Sequence, residues 1–151
     1  MEKYGERAKE LFESGYNCAQ AVFLTFAEEL GIDPVTASAV SAPFGGGMGR
    51  LREVCGAVSG MFMSLGVLYG DYGTETSDTK KQQYADVQRL AAAFEEKNGS
   101  IICRELLGLE GKSEPSPEKR TDAYYKKRPC SEMVADAAEI FAAYLKEKGK
   151  I

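Results

Sequence analysis

The sequence predicts an all-α fold, a compact bundle of about four or five main helices joined by shorter ones. Apolar residues recur at intervals of three and four in several segments, as one face of a helix requires. Capping residues and helix-ending glycines or prolines separate these segments, and none of them shows the alternation of a half-buried strand. A chain of 151 residues can bury about two thirds of its unfolded surface, so we expect a single domain over residues 1–151.

Three helices are predicted in the N-terminal part of the chain. A charged amphipathic helix covers residues 3–13. Asn17 is a typical helix N-cap, and the apolar pattern after it predicts a second helix over 18–30. The pair Asp33-Pro34 combines a capping side chain with a proline at the first helical position, so it opens a third, short helix.

The middle of the chain contains a predicted buried helix over residues 51–69. Gly56 and Gly60 lie inside it, and each costs about 1 kcal/mol of helix propensity relative to alanine. We therefore expect another backbone to pack closely against this surface. A long helix over 77–98 and a short one over 101–107 follow.

The final segment has the clearest helical pattern in the chain. Pro129 ends a charged stretch, and a helix is expected to follow it. The predicted apolar face consists of Cys130, Met133, Val134, Ala137, Ala138, Phe141, Tyr144 and Leu145.

Composition narrows the classes of function. The net charge of -4 comes from mixed charges, so nucleic acid is not an expected partner. The charged N-terminus is unlike a secretory signal, and no apolar run approaches the ~20 residues that cross a bilayer. We expect a cytoplasmic location without membrane insertion. Because the chain has no histidine, its chemistry must come from thiols, carboxylates, lysine, arginine, tyrosine or a bound cofactor.

The four cysteines are the candidate site, and each is predicted to lie at or near a helix start and to begin an apolar face. They are Cys18, Cys55, Cys103 and Cys130. Such positions can bring the sulfurs together and lower the pKa of a cysteine below its usual ~8.5, because the helix dipole stabilises a thiolate. Basic neighbours would act in the same direction. They are Arg50, Arg52, Arg104, Lys126, Lys127 and Arg128. The alternative is that the cysteines are small core residues.

A glycine-rich loop precedes Cys55. Its glycines are Gly45, Gly46, Gly47 and Gly49. The loop lacks the lysine of a P-loop, and no predicted strand precedes it, so a structural turn is favoured over nucleotide binding. The amides of these glycines and of Gly56 are candidates for hydrogen bonds to a cofactor.

Four thiolates allow three kinds of chemistry. They can ligate an iron-sulfur cluster, hold one structural zinc ion, or cycle between dithiol and disulfide. We favour redox work by a cluster or a disulfide, because structural zinc is typical of domains with little core. The alternative is a non-catalytic zinc-binding, metal-binding or partner-binding helical module. The redox partner, a protein or a small-molecule electron carrier, is left open, as is assembly into a homo-oligomer.

The hexapeptide Cys55-Gly56-Ala57-Val58-Ser59-Gly60, with the order of the other three cysteines, resembles a known family. It is a bacterial and archaeal family of small redox-active proteins labelled C-GCAxxG-C-C. Cys18 matches the first cysteine, and Cys103 and Cys130 match the last two. The chain reads Cys-Gly-Ala where the label has Gly-Cys-Ala. The resemblance implies a redox or metal role for the four cysteines and no particular substrate.

Overall fold

A computed structural model of the chain describes residues 1–70, 76–127 and 129–151, without the side chains of residues 125–127. Over these residues the fold consists of right-handed helices and contains no strand, which confirms the predicted all-α class. In chain order the helices are α1 (Glu2–Glu13), α2 (Cys18–Thr25), α3 (Pro34–Ser41), α4 (Gly56–Gly70), α5 (Ser77–Asn98), α6 (Cys103–Leu107), α7 (Asp122–Lys127) and α8 (Cys130–Glu147). A 3-10 turn, Ala42–Phe44, and a glycine turn, Gly45–Met48, lie between α3 and α4.

The predicted caps determine where the first helices begin. Asn17 accepts a hydrogen bond from the Gln20 backbone N–H, and the Gln20 side chain accepts one from the Asn17 N–H. This reciprocal pair is a capping box, and it satisfies N–H groups that the helix itself cannot. Asp33 caps α3 by accepting a hydrogen bond from the N–H of Thr36. Both predicted helix starts are confirmed.

The core forms where α2 packs against α4 and α1 packs against α8. A Cβ added to Gly60 would lie 2.8 Å from Val22 Cβ and 2.9 Å from the Ala19 carbonyl oxygen. The expected close approach to the glycine-containing surface is therefore confirmed, and the approaching helix is α2. The largest fully buried side chains include Phe12, Phe23, Phe26, Met61, Phe94 and Phe141.

The prediction that the central helix begins near residue 51 is wrong, since α4 begins at Gly56. Residues 52–55 pair instead with residues 101–104, and we call this pairing the short ribbon. In it the N–H of Cys55 donates to the Ile101 carbonyl at 2.8 Å, and the N–H of Cys103 donates to the Glu53 carbonyl at 2.6 Å. A backbone committed to this pairing cannot form helical hydrogen bonds. The helix predicted over 101–107 begins only at Cys103, and the N–H groups of Cys103 and Arg104, which have no partner within the helix, donate to the ribbon.

Two other predicted boundaries have different outcomes. The second helix ends at Thr25 and not near residue 30, because the N–H groups of Phe26 and Ala27 bond three residues back and tighten the last turn. The loop predicted between α4 and α5 falls largely outside the described residues.

In the described ranges, no helix is both long enough and apolar enough to cross a membrane.

Candidate functional site

All four cysteines line one cavity of about 290 Å³. Cys55 and Cys103 are buried, whereas Cys18 and Cys130 are half-buried, and all four are thiols. The fold thus brings together residues that are widely separated in the chain. The five glycines named as cofactor-binding candidates also line this cavity: Gly45, Gly46, Gly47, Gly49 and Gly56.

Helix starts place the thiols around the cavity, as predicted. Cys18, Cys103 and Cys130 are the first residues of α2, α6 and α8, and Cys55 immediately precedes α4. The short ribbon joins Cys55 to the segment that contains Cys103. A helix start thus lies at or beside each thiol, and at Cys55 the first N–H groups of α4, those of Ala57 and Val58, face the sulfur.

The thiols of Cys18 and Cys130 are in hydrogen-bond contact. This contact, together with burial, raises the pKa of Cys18 well above its usual value. The prediction of a lowered pKa is therefore wrong for Cys18. The other three cysteines act in the same direction, because a negative charge on any of them would repel one on Cys18.

Burial dominates at Cys55 as well. It raises the pKa of Cys55 to about 12, although the backbone N–H groups of Ala57 and Val58 act to lower it. The helix start therefore lowers the pKa of Cys55 as expected, but by less than burial raises it. The prediction of a lowered pKa is wrong here too, because the thiolate would lose more solvation than two N–H groups return.

The glycine turn before Cys55 is left-handed. Five consecutive residues have φ between +60° and +68°, namely Gly46, Gly47, Met48, Gly49 and Arg50. A left-handed conformation costs a residue with a side chain about 1–2 kcal/mol, so Met48 and Arg50 are strained. The turn brings the chain against the cavity wall: a Cβ added to Gly47 would lie 2.6 Å from Cys103 Cβ. Glycine at position 47 is thus required by packing as well as by φ.

Metal ligation has no preformed site in the described part of the chain. No group of three or more cysteine, aspartate or glutamate side chains is arranged there so that it could hold a metal ion. The four thiols, all of them described, share the cavity without forming a coordination sphere. If a metal or cluster binds, the thiols must move closer to it.

Comparison with known proteins agrees with the arrangement of the cysteines. The model of a family described as "Putative redox-active protein (C_GCAxxG_C_C)" matches residues 16–144, which include all four cysteines. The chain belongs to this family. An uncharacterized protein of Archaeoglobus fulgidus is 27% identical over 154 residues, covering 97% of this chain and 96% of the relative. No solved structure matches the chain.

The family motif has a structural explanation in this member. Cys55 contributes a cavity thiol, and a Cβ added to Gly56 would lie 3.0 Å from Cys18 Cβ. Gly60, one helical turn later, lets α4 pack against Val22 of α2. The two glycines of the motif thus allow α2 to pack close to α4, and this packing brings Cys18 to the cavity.

Three arginines of this family member also line the cavity: Arg50, Arg52 and Arg120. Arg52 is 4% exposed, and its Nη1 lies 3.6 Å from Cys103 Sγ. A guanidinium in contact with sulfur stabilises the thiolate form. The Arg120 guanidinium lies 4.4 Å from the centre of the Phe12 ring, and its Nη1 donates to the Phe12 carbonyl oxygen at 2.6 Å.

Sequence reasoning identified two of these arginines and missed Arg120. Arg50 and Arg52 precede Cys55 closely in the chain, which makes them candidates from sequence alone. Arg120 lies in an irregular polar segment before α7, where no periodicity or motif distinguishes it. Arg104, the basic neighbour of Cys103 in the sequence, forms an ion pair with Glu53 at 3.1 Å. The side chains of the basic cluster before Cys130 lie outside the described residues.

Proposed function

We propose that this chain is a thiol-based redox protein in which Cys18 and Cys130 cycle between two thiols and a disulfide. The observation that carries the proposal is the direct contact between the two thiols. Both side chains are half-buried in the cavity wall, so a small reagent can reach them. Family membership supports redox work in general. A cytoplasmic location, where dithiols are kept reduced, would suit this cycle.

The two cysteines would have different roles. Because its hydrogen bond to Cys130 raises the pKa of Cys18, Cys18 keeps its proton and is the poorer nucleophile of the two. Cys130 is also the first residue of the long helix α8, whose dipole favours a thiolate. We therefore assign Cys130 as the attacking sulfur and Cys18 as the resolving one.

The reaction is an ordinary thiol-disulfide exchange. The Cys130 thiolate attacks one sulfur of a disulfide, and the other sulfur leaves as a thiolate that takes up a proton. The Cys18 thiol then loses its proton and attacks Cys130 in the mixed disulfide, releasing the second thiol. The protein loses two electrons and two protons, and one disulfide becomes two thiols. The reverse sequence returns the protein to its reduced form.

A metal or iron-sulfur centre remains the second candidate, because four thiols line a single cavity. The third is a non-catalytic module. The contact between the Cys18 and Cys130 thiols favours disulfide chemistry over the non-catalytic module. Two observations favour it over a metal centre: the described residues contain no preformed group of metal ligands, and Cys55 holds its proton to a pKa of about 12. A ligand must be deprotonated to bind a metal, so Cys55 would bind one only at a considerable energetic cost.

The test is to identify which thiols are lost on oxidation. Reduced protein is treated with excess small disulfide, the remaining thiols are counted, and the crosslinked peptides are identified by mass spectrometry. We expect two thiols to be lost per chain and a Cys18–Cys130 crosslink to form. Cys130→Ser should accumulate no stable intramolecular disulfide, whereas Cys18→Ser should trap a mixed disulfide on Cys130.

The matched control is Cys55→Ala, which removes a thiol from the same cavity and should still form the crosslink. Metal and acid-labile sulfide are measured on protein purified without oxygen. Stoichiometric iron with sulfide would refute the proposal and support an iron-sulfur centre. One zinc ion per chain, whose removal also unfolds the protein, would refute it and support a structural metal site. Oxidation that joins other cysteines, or no cysteines, would also refute it.

A further inference from the structure

The thiol cavity is positively charged although the protein is acidic. Three guanidiniums and one carboxylate, Glu118, line it, giving a formal charge of +2 in a chain of net charge -4. A cleft lined mostly by one sign of charge concentrates ions of the opposite sign and accelerates their arrival. The charge around the thiols therefore favours the entry and binding of anions.

Neutral groups hold the three arginines in place. Arg52 Nε donates to Ser113 Oγ at 2.9 Å, and Arg50 Nε donates to the Glu114 carbonyl oxygen. Arg120 donates to the carbonyl oxygen of Phe12. A carbonyl or a hydroxyl orients a guanidinium without neutralising it. The arginines are thus fixed in position around the thiols and keep their charge.

We infer that the oxidant of the Cys18/Cys130 pair is an anionic low-molecular-weight disulfide, bound through its carboxylates by the arginines of the cavity. This assignment rests on the proposed function. Carboxylates form paired hydrogen bonds with guanidinium, and the cavity volume of about 290 Å³ matches a small molecule. The disulfide gains the two electrons that the pair loses, its S–S bond breaks, and it leaves as two thiols.

The first experiment tests charge selection without any disulfide chemistry. Iodoacetate and iodoacetamide alkylate thiols with the same leaving group but differ in charge. The ratio of their rates at Cys130, measured by mass spectrometry, is divided by the same ratio for dithiothreitol. We expect a normalised ratio of about ten in favour of iodoacetate at low salt. The double variant Arg50→Gln/Arg120→Gln should bring it close to one.

Two controls accompany this measurement. Arg89→Gln removes an exposed arginine that does not line the cavity and should leave the ratio unchanged. If the double variant does not fold, salt serves in its place, because ~1 M salt shortens the Debye length to about 3 Å and should abolish the preference in the wild type. A ratio near one in the wild type at low salt would overturn the inference.

The second experiment uses three disulfides of similar size and different charge. They are dithiodiglycolate, which is anionic, bis(2-hydroxyethyl) disulfide, which is neutral, and cystamine, which is cationic. Their rates of oxidising the reduced protein are normalised to their rates with dithiothreitol. We expect dithiodiglycolate to be fastest and cystamine slowest, with about a tenfold span that the double variant removes.

The outcomes separate this inference from the proposed function. Equal normalised rates, with the Cys18–Cys130 crosslink formed, would overturn the anionic substrate and leave the dithiol cycle intact. Failure of all three reagents to produce the crosslink would overturn the dithiol cycle and, with it, the assigned oxidant.

Discussion

Two buried polar clusters lie at opposite ends of α4 and α8. Both helices begin at the thiol cavity, where Cys55 and Cys130 are found. Near their other ends, Tyr69 of α4 and Tyr144 of α8 both donate to Asp86 of α5. The 13 or 14 residues between these points correspond to about 20 Å of helix. The two clusters share the same helices but contain different chemistry.

The carboxylate cluster keeps its charge inside the protein. Asp86 is 4% exposed, and burial acts to raise its pKa, but hydrogen bonds from Tyr144 and Tyr69 lower it below the usual value. Each phenol Oη lies 2.6 Å from Asp86 Oδ2. Donors aimed at a carboxylate can thus outweigh the loss of solvation.

In the thiol cluster burial acts in the same direction, but hydrogen bonds do not outweigh it. The pKa values of Cys55 and Cys18 are raised, because burial combines with neighbours that are themselves thiols. A protonated thiol is stable but unreactive, so chemistry at this cluster depends on contacts that help a thiol to lose its proton, and the proposed one is the hydrogen bond between Cys18 and Cys130. The carboxylate cluster is suited to stability, and the thiol cluster is suited to chemistry.

The largest effect expected from this difference is a loss of stability at alkaline pH. The folded protein holds the Cys55 proton to a pKa of about 12, whereas an unfolded cysteine releases it near pH ~8.5–9. The stabilising contribution is complete below the unfolded value and is lost as pH rises to the folded value. The free energy of unfolding should fall by about 1.4 kcal/mol per pH unit, or about 4 kcal/mol in total.

Urea unfolding under reducing conditions from pH 8 to 11 measures this fall in the free energy of unfolding. Cys55→Ala should be less stable at pH 8 because it removes buried atoms, but its stability should fall less steeply with pH. Parallel curves for the wild type and Cys55→Ala would show that the buried thiol is not the group that titrates.

A slightly smaller effect is expected when the carboxylate is removed. Asp86→Ala takes away the acceptor to which two buried phenols donate, so we expect unfolding to become easier by about 3 kcal/mol. The matched control is Gln82→Ala, because Gln82 is exposed and donates to the same carboxylate at 3.2 Å. That change should cost less than about 0.5 kcal/mol. Urea unfolding at pH 7 compares the variants.

Asp86→Ala also tests whether the pKa of Asp86 is lowered in the folded protein. A lowered folded pKa means that the stabilisation is present above the unfolded value of ~3.9 and is lost as pH falls through the folded value. The difference in stability between the wild type and Asp86→Ala should therefore shrink only in acid, below about pH 4. A difference that shrinks near neutral pH would mean that the buried carboxylate is protonated.

Much of the helical framework could be predicted from local sequence. The capping residues Asn17 and Asp33, the second followed by Pro34, predict where α2 and α3 begin, and three-four periodicity predicts α8. These signals are local, because they depend on residues within one or two turns. The cysteine positions at helix starts followed from the same signals, and so did the close approach at Gly60.

The parts that sequence reasoning missed depend on distant contacts. The short ribbon joins segments about 48 residues apart through a few backbone hydrogen bonds, and it leaves no periodic pattern. It shifted the start of α4 from the predicted 51 to Gly56. The raised pKa values depend on how deeply the thiols are buried together, which no single segment determines. Arg120 reaches the cavity only because of the path of an irregular segment.

The smallest expected effect comes from a comparison of two glycines, and it measures how much the close packing of Gly47 against Cys103 contributes to stability. Gly47 and Gly108 have nearly the same φ, +67° and +68°, so alanine at either position carries the left-handed cost of about 1–2 kcal/mol. They differ in their surroundings: a Cβ on Gly47 would lie 2.6 Å from Cys103 Cβ and 2.9 Å from Arg52 Cα, whereas a Cβ on Gly108 would have nothing within 4 Å.

Gly47→Ala should therefore be less stable than Gly108→Ala by about 2 kcal/mol, because only the first substitution overpacks the cavity wall. Urea unfolding of the two variants gives the difference directly, and the conformational term cancels because φ is the same. The carboxylate cluster should be unaffected by either change. Equal costs would mean that the glycine turn can move away from Cys103, and the position of that thiol would then not depend on the absence of a side chain at residue 47.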